Sequence, residues 1–380
     1  MKKIVIASDS FKGSLSSADV AKAAAAGILD IFPDCEVTCL AMGDGGEGTC
    51  EAIADTFECS WNEIHTTDPL GRPITAKYAV SMKHDSLAII ELAQASGLTL
   101  LNEKERNPLM TSTFGTGLMI MDAAEKGYRN FIIGLGGSAT NDAGTGMLEA
   151  LGFRFLDENG RQITGSRGEK LIQIASIDDS GVAEAVRACS FTVACDVETP
   201  FYGTNGATRI FAPQKGADSE SVETREKGMA SFAEVIHKRY GIDLGSIEGA
   251  GAAGGTGGAI HAFLNGKLCK GSELILDAAG FDSIIEGADL IITGEGRIDN
   301  QTFYGKLPSA ILKRASKKNI PVIAIGGLVD LSEEDIINSG FTSILPIQDR
   351  PADAVSLAKA MEPATTTQNI RVKVAEAISR

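Results

Sequence analysis

Along this chain, apolar runs short enough to be strands alternate with segments of helical period. Residues 4–7 form an unbroken apolar run, Ile-Val-Ile-Ala, as in a strand buried on both faces. Ser16 then opens a helix with Asp19 at the capping-box position, and Val20, Ala24 and Ile28 recur at helical spacing to give it one buried face. Pro33-Asp34 ends that helix, and residues 36–41 read as the second strand. Further on, Asp68-Pro69-Leu70-Gly71-Arg72-Pro73 reads as a turn, followed by Ile74, Ala76, Tyr78 and Val80 alternating as in a half-buried strand. Runs at 131–135 and 191–195 predict fully buried strands, each leading straight into a polar or glycine-rich loop. Residues 219–240 predict a surface helix. The strand–helix rhythm returns with strands at 290–293 and 321–325 and helices at 308–317, 332–338 and 352–361. This alternation predicts an α/β protein built on a mostly parallel sheet.

A chain of 380 residues exceeds the usual size of a single core. The rhythm at both ends predicts a discontinuous arrangement. Residues 1–75 and 285–380 form a Rossmann-like or flavodoxin-like parallel-sheet domain, and residues 76–284 form an α/β domain inserted into it, with the active site expected in the cleft between them. The 43 glycines follow no collagen period and no low-complexity tract, so they point to tight loops where backbone approaches a ligand. A net charge of −15 argues against nucleic acid or an anionic membrane as partner. It leaves room for a small anionic substrate, because local N–H groups and a metal ion overrule the global field at short range. Seven cysteines without CxxC or metal-ligand spacing read as the reduced thiols of a cytosolic protein. The apolar run after Met1-Lys2-Lys3 is too short for a signal peptide, and no window approaches the roughly 18 apolar residues of a membrane span. A cytoplasmic location is therefore expected, with the oligomeric state open between monomer and homodimer.

Four segments share one form, a strand followed by a loop rich in glycine and carboxylates and then a helix start. In open α/β sheets such loops gather at the carboxyl ends of the strands, where ligands bind. In the segment from Ala7 to Ser14, Asp9, Ser10 and Lys12 offer a carboxylate, a hydroxyl and a cation to a small hydroxy acid, although the same residues suit an ordinary capped turn. In Met42-Gly43-Asp44-Gly45-Gly46-Glu47-Gly48-Thr49, Asp44 and Glu47 can meet a metal or a hydroxyl, and EF-hand spacing is absent. The third segment, from Gly134 to Asp142, sets Gly136, Gly137, Ser138, Thr140 and Asn141 at a helix start as an anion cradle, without a Walker lysine. The fourth, residues 249–258, holds Gly251, Gly254 and Gly255 and suits close approach to nucleotide phosphates or, alternatively, close helix packing.

Further charge comes from Asp196 after a buried strand, from Glu295, Arg297 and Asp299 after another, and from Lys215 in a loop. Arg297 also suits a plain salt bridge to its acidic neighbours. The histidines, at 65, 84, 237 and 261, form no HExxH, which argues against a zinc site. The inventory matches what phosphoryl transfer needs: amides and a cation for phosphates, carboxylates for Mg²⁺, and a carboxylate facing the attacking hydroxyl.

Together these segments resemble the glycerate kinase family of bacterial type. The matching motifs are ASDSFKGSLS from Ala7, MGDGGEGT from Met42, IELAQASGL from Ile90, IIGLGGSATNDAGTGMLEALG from Ile132, ACDV from Ala194, APQKGA from Ala212, GAGAAGGTGGA from Gly249 and ITGEGRIDNQTFYGK from Ile292. The resemblance implies a two-domain α/β kinase that uses ATP and Mg²⁺ to phosphorylate D-glycerate, giving 2-phosphoglycerate. It implies Asp9, Ser10, Lys12, Asp44 and Glu47 near glycerate and metal, with Arg297 also on the substrate. Gly136–Asn141, Gly251, Gly254, Gly255 and Lys215 are then expected on the nucleotide. Asp196 is the first choice for the carboxylate that orients or deprotonates the hydroxyl, with Glu295, Asp299 and Asp142 as alternatives for that role or for Mg²⁺. The competing readings are a kinase of another small hydroxy acid, an NAD(P)-dependent oxidoreductase and a non-catalytic nucleotide sensor. The oxidoreductase reading lacks a glycine fingerprint after the first strand.

Overall fold

The computed structural model describes residues 1–11, 13–42, 50, 53–54, 57–82, 86–303, 305–348 and 358–379. The chain divides into two compact units, Met1–Ala52 with Ser272–Arg380, and Ile53–Gly271. The first is thus built from both chain ends. The divisions fall at 52/53 and 271/272 rather than near 75 and 285. The first difference arises because the strand Ser60–Thr67 and the strand Pro73–Ser81 form an antiparallel hairpin that joins the second unit's sheet.

The first unit holds a five-stranded, all-parallel sheet in the order Ser343–Pro346, Val322–Val329, Leu290–Ile298, Lys3–Ser8, Glu36–Ala41. Ile4, Val5, Ile6 and Ala7 are fully buried, as are Ile291 and Ile292, which is why these strands read as unbroken apolar runs. Counted within the unit, the strand order is 2-1-3-4-5, the flavodoxin-like arrangement. Its switch point lies between Lys3–Ser8 and Leu290–Ile298, where connections depart to opposite faces and leave a crevice at the carboxyl ends. Two of these strands run longer than their apolar cores. Leu290–Ile298 includes Glu295, Gly296 and Arg297, with Glu295 opposite Gly326 and Arg297 opposite Leu328. Gly-Glu-Gly-Arg has weak strand propensity, so only the neighbouring strand keeps it extended.

The helix Ser17–Ile31 begins at Ser16, whose hydroxyl accepts from the Asp19 N–H at 3.2 Å. The Asp19 carboxylate takes the Ser16 hydroxyl at 2.6 Å, so the capping is carried by side chain to side chain as well as to backbone. Val20, Ala24 and Ile28 are fully buried as the periodicity predicts. This helix packs on the C-terminal helix Pro363–Ile378. The helix expected over 352–361 lies largely outside the described residues.

The second unit carries a mixed six-stranded sheet ordered Lys267–Cys269, Ser190–Ala194, Asn130–Gly134, Leu87–Glu91, Pro73–Ser81, Ser60–Thr67. Its first four strands are parallel and the hairpin closes one edge antiparallel. A small three-stranded sheet and the helix Ser219–Tyr240 complete its core. That helix is less superficial than its polar sequence suggests: Met229, Phe232 and Ile236 are fully buried, and so is Arg225. No helix among the described residues is long and apolar enough to cross a membrane.

Gly27 sits where the two terminal helices meet, and a Cβ there would lie 2.3 Å from the Arg371 carbonyl oxygen. Alanine gains about 1 kcal/mol of helix propensity over glycine, but forced overpacking costs about 1–3 kcal/mol. Gly27→Ala is therefore expected to destabilise the first unit by up to about 2 kcal/mol, read as a lower urea midpoint. A raised midpoint would show that the helices do not approach this closely.

Candidate active site

At the switch point of the first unit, Asp9, Ser10, Glu295, Arg297 and Lys306 line one pocket of about 390 Å³, with Phe11, Leu328, Ile347 and Met361 as its apolar wall. Residues 297 positions apart in sequence meet here because Lys3–Ser8 pairs in parallel with Leu290–Ile298, and the Asp9 N–H donates to the Gly294 carbonyl at 2.9 Å. Both acids are sunk into the wall, Asp9 being 6% and Glu295 4% exposed. One Asp9 oxygen accepts from the Ser10 N–H at 2.6 Å. Glu295 accepts from the Thr302 hydroxyl at 2.5 Å and from the Lys306 ammonium at 3.4 Å. Burial raises the Glu295 carboxyl above its ordinary range, with Thr302 and Lys306 pulling the other way.

Arg297 lines this pocket and also reaches Asp330 at 2.5 Å and Asp299 at 3.5 Å, the salt bridge to acidic neighbours that its sequence suits. Asp299 does not line the pocket. Its carboxylate accepts from the Gln301 N–H at 2.9 Å and caps the short turn Asn300–Phe303. Lys12, Asp44 and Glu47, expected near the substrate, lie outside the described residues.

In the second unit, the loop after the strand Asn130–Gly134 is held from beneath by charge. The Lys215 ammonium donates to the Ser138 hydroxyl and to the Thr140 carbonyl, both at 2.7 Å. Lys215 is 3% exposed. Burial pushes it down to about 7, against an upward pull from Asp142 and with a further downward push from Arg225. Gly136 and Gly137 form the outer part of the loop, and among the described residues the N–H groups of Gly136, Gly137 and Ser138 find no acceptor. Backbone amides without internal acceptors are what an anion-binding loop has to offer.

Asp142 does not suit the expected metal-binding role. It is fully buried, and four donors occupy its oxygens: the Thr113 N–H and hydroxyl at 2.8 Å each, and the Gly144 and Gly146 N–H groups at 3.2 Å each. It is an internal anchor for the helix start at Thr145. Asp196, by contrast, is exposed at the end of the strand Ser190–Ala194 and accepts from the Gly271 N–H at 2.8 Å.

The glycines of residues 249–258 are accounted for by packing. Gly251, Gly254 and Gly255 are buried. Gly254 has φ of +65°, and a Cβ on it would lie 2.2 Å from the Thr140 carbonyl oxygen. Its own carbonyl accepts from the Ala143 N–H at 3.0 Å. Of the two sequence readings of this segment, close backbone contact is the one that the geometry displays. Arg225 carries no motif and its helix pattern reads as surface, so nothing in the sequence points to the second buried cation beside the loop.

The glycerate kinase family model matches residues 4–379 of the chain. A glycerate kinase of Halalkalibacterium halodurans is 42% identical over 362 residues, covering 95% of this chain and 94% of the relative. A glycerate 2-kinase of Escherichia coli K12 is 44% identical over 325 residues, covering 86% and 85%. A crystal structure described as that of a glycerate kinase 2 from Salmonella typhimurium LT2 superposes with a TM-score of 0.85 at 38% identity, covering 100% of this chain and 97% of that one. With a match this long in both sequence and fold, the chain belongs to the glycerate kinase family.

Proposed function

We propose that this kinase transfers the γ-phosphoryl group of ATP to the 2-hydroxyl of D-glycerate. The observation that carries this reading is the grouping of Asp9, Ser10, Glu295, Arg297 and Lys306 around one pocket at the sheet's switch point. A small hydroxy acid needs cations for its carboxylate and acceptors for its hydroxyls, and this pocket offers both. Its volume is that of a small-molecule site. Arg297 and Lys306 are assigned to the substrate carboxylate, and Asp9 with Ser10 to its hydroxyls.

Glu295 is assigned to take the proton of the attacking hydroxyl. A carboxylate raised by burial and placed in a pocket is better matched to that task than one in water. That assignment moves the role from Asp196, the first choice on sequence, because Asp196 is exposed. The phosphates of ATP are assigned to the amides of Gly136–Ser138, with Lys215 behind them. Mg²⁺ accompanying a nucleotide takes one or two protein carboxylates, its remaining ligands being phosphates and water. Exposed Asp196 suits that duty and donor-saturated Asp142 does not. The ion, when bound, neutralises charge on the transferred group. The apolar wall of Phe11, Leu328, Ile347 and Met361 supports, as a second reading, a longer or less polar hydroxy acid as acceptor.

The direct test is ADP release from Mg-ATP with D-glycerate, followed by phosphorus NMR of the product. Glycerate-dependent ADP and a 2-phosphoglycerate signal are expected; turnover on lactate alone, a less polar hydroxy acid, would replace glycerate with the second reading. Glu295→Gln is expected to lower kcat by about 10²–10⁴-fold, and added Mg²⁺ will not restore it. The loss in Asp196→Asn is expected to shrink as Mg²⁺ is raised. A Glu295→Gln enzyme of normal turnover would return the base to another residue.

Lys215 also predicts a pH signature. Its folded value is depressed to about 7, so from there up to the ordinary lysine range the free protein holds it neutral. A phosphate beside it favours the charged form, so ATP binding at pH 8 is expected to take up a proton. Calorimetry in buffers of differing ionisation enthalpy reads this uptake, which should vanish in Lys215→Gln. Equal uptake in that variant would place the proton elsewhere.

A further inference from the structure

Arg225 lies on the buried face of the helix Ser219–Tyr240 beside Met229 and Phe232 and is 1% exposed. A guanidinium in such a place is costly unless it is paired with a carboxylate or fully hydrogen-bonded. Among the described residues it has neither. No carboxylate reaches it within ion-pair distance, and Nε and Nη2 have no partner. Its one hydrogen bond there runs from Nη1 to the Asn141 carbonyl at 3.0 Å. Room is made for it by Gly168, where a Cβ would lie 2.2 Å from Nη1. Packing alone would be served better by a methionine of similar length.

What the side chain does achieve is orientation of the loop. Asn141 turns its carbonyl inward to Arg225, and Thr140 turns its carbonyl inward to Lys215. Asp142, next in the chain, is fixed by Thr113 and the helix start. With three successive residues tied down, the amides of Gly136, Gly137 and Ser138 are left without an internal acceptor among the described residues. Arg225 stays charged at any working pH and Lys215 joins it when a bound phosphate protonates it, against the one carboxylate of Asp142, so the ground beneath the loop favours a polyanion over a neutral ligand.

We propose that Arg225 is a positioning residue for the phosphate loop, setting the peptide orientation at Asn141 and supplying the permanent buried positive charge that a nucleotide polyphosphate meets, joined by Lys215 once phosphate is bound. The inference rests on the reading that this loop takes the phosphates of ATP.

The test is Arg225→Met, with Arg225→Lys beside it, in the full chain. Expected for the methionine variant is a thermal midpoint not below that of the wild type, because a buried unpaired cation has been removed. Its Kd for Mg-ATP and for inorganic triphosphate should rise at least tenfold, and KM for ATP should rise while KM for glycerate stays within twofold. Lysine keeps the charge without the fork and should recover part of the affinity. A folded Arg225→Met protein with wild-type ATP affinity and KM overturns the inference. Should methionine prevent folding, Arg225→Lys decides: a several-fold weaker Kd for ATP sustains the proposal and an unchanged one overturns it. A wild-type protein that binds neither ATP nor triphosphate overturns the phosphate reading, and this inference with it.

Discussion

The parallel pairing of Lys3–Ser8 with Leu290–Ile298 is the contact on which the first unit depends. Its partners are 286 residues apart, Ile4 opposite Leu290 and Ser8 opposite Gly294, and without it the N-terminal pair of strands has no sheet to join. Closing so long a loop costs little more entropy than closing a much shorter one, because the cost grows only with the logarithm of length. Most of the intervening chain has in any case a core of its own. The same pairing fixes the switch point. Because the first strand sits between the second and third, its carboxyl end opens on a crevice, and the residues just past it, Asp9 and Ser10, face those at the end of its neighbour. Position in the sheet, more than any local motif, makes a pocket of these side chains.

Much of this was legible in the sequence. Parallel strands buried on both faces read as continuous apolar runs, and residues 4–7, 131–135, 191–195 and 290–293 were visible for that reason. The helix at Ser17 was legible from its cap and its stripe of Val20, Ala24 and Ile28. What could not be read was whatever tertiary contact decides. Glu295 and Arg297 are on a strand only because Val322–Val329 holds them there. The C-terminal helix Pro363–Ile378 carries three successive threonines, poor helix formers, in its first turns and is held by burial of Ile370 and Val374 against the first helix.

The site residues divide in the same way. Glycine-rich segments looked alike in sequence, yet one leaves Gly136 and Gly137 at the surface while the other, at 251–258, spends its glycines on close contacts inside the protein, Gly254 against Thr140 and Gly251 against Pro200. Glycine records that something comes close, and only the fold says whether that is a ligand or the chain itself. Carboxylates carry a similar ambiguity. Asp142 and Glu295 are both buried acids that follow apolar runs in the sequence, but the four donors on Asp142 use it up as an anchor, whereas Glu295 lines open volume.

Burial also resolves an apparent conflict between the chain's net charge of −15 and a ligand as anionic as ATP. Exposed charges are screened by salt beyond about 10 Å, so the acidic surface contributes little inside the second unit. Arg225 is not screened in this way, nor is Lys215 once it carries its proton, and both are tied to carbonyls of the loop rather than to acids. Pairing each with its own carboxylate would be cheaper for the fold and would cancel the field. Leaving Arg225 short of partners keeps positive potential available to the amides of Gly136–Ser138, which is what the proposed phosphate loop of an acidic protein requires.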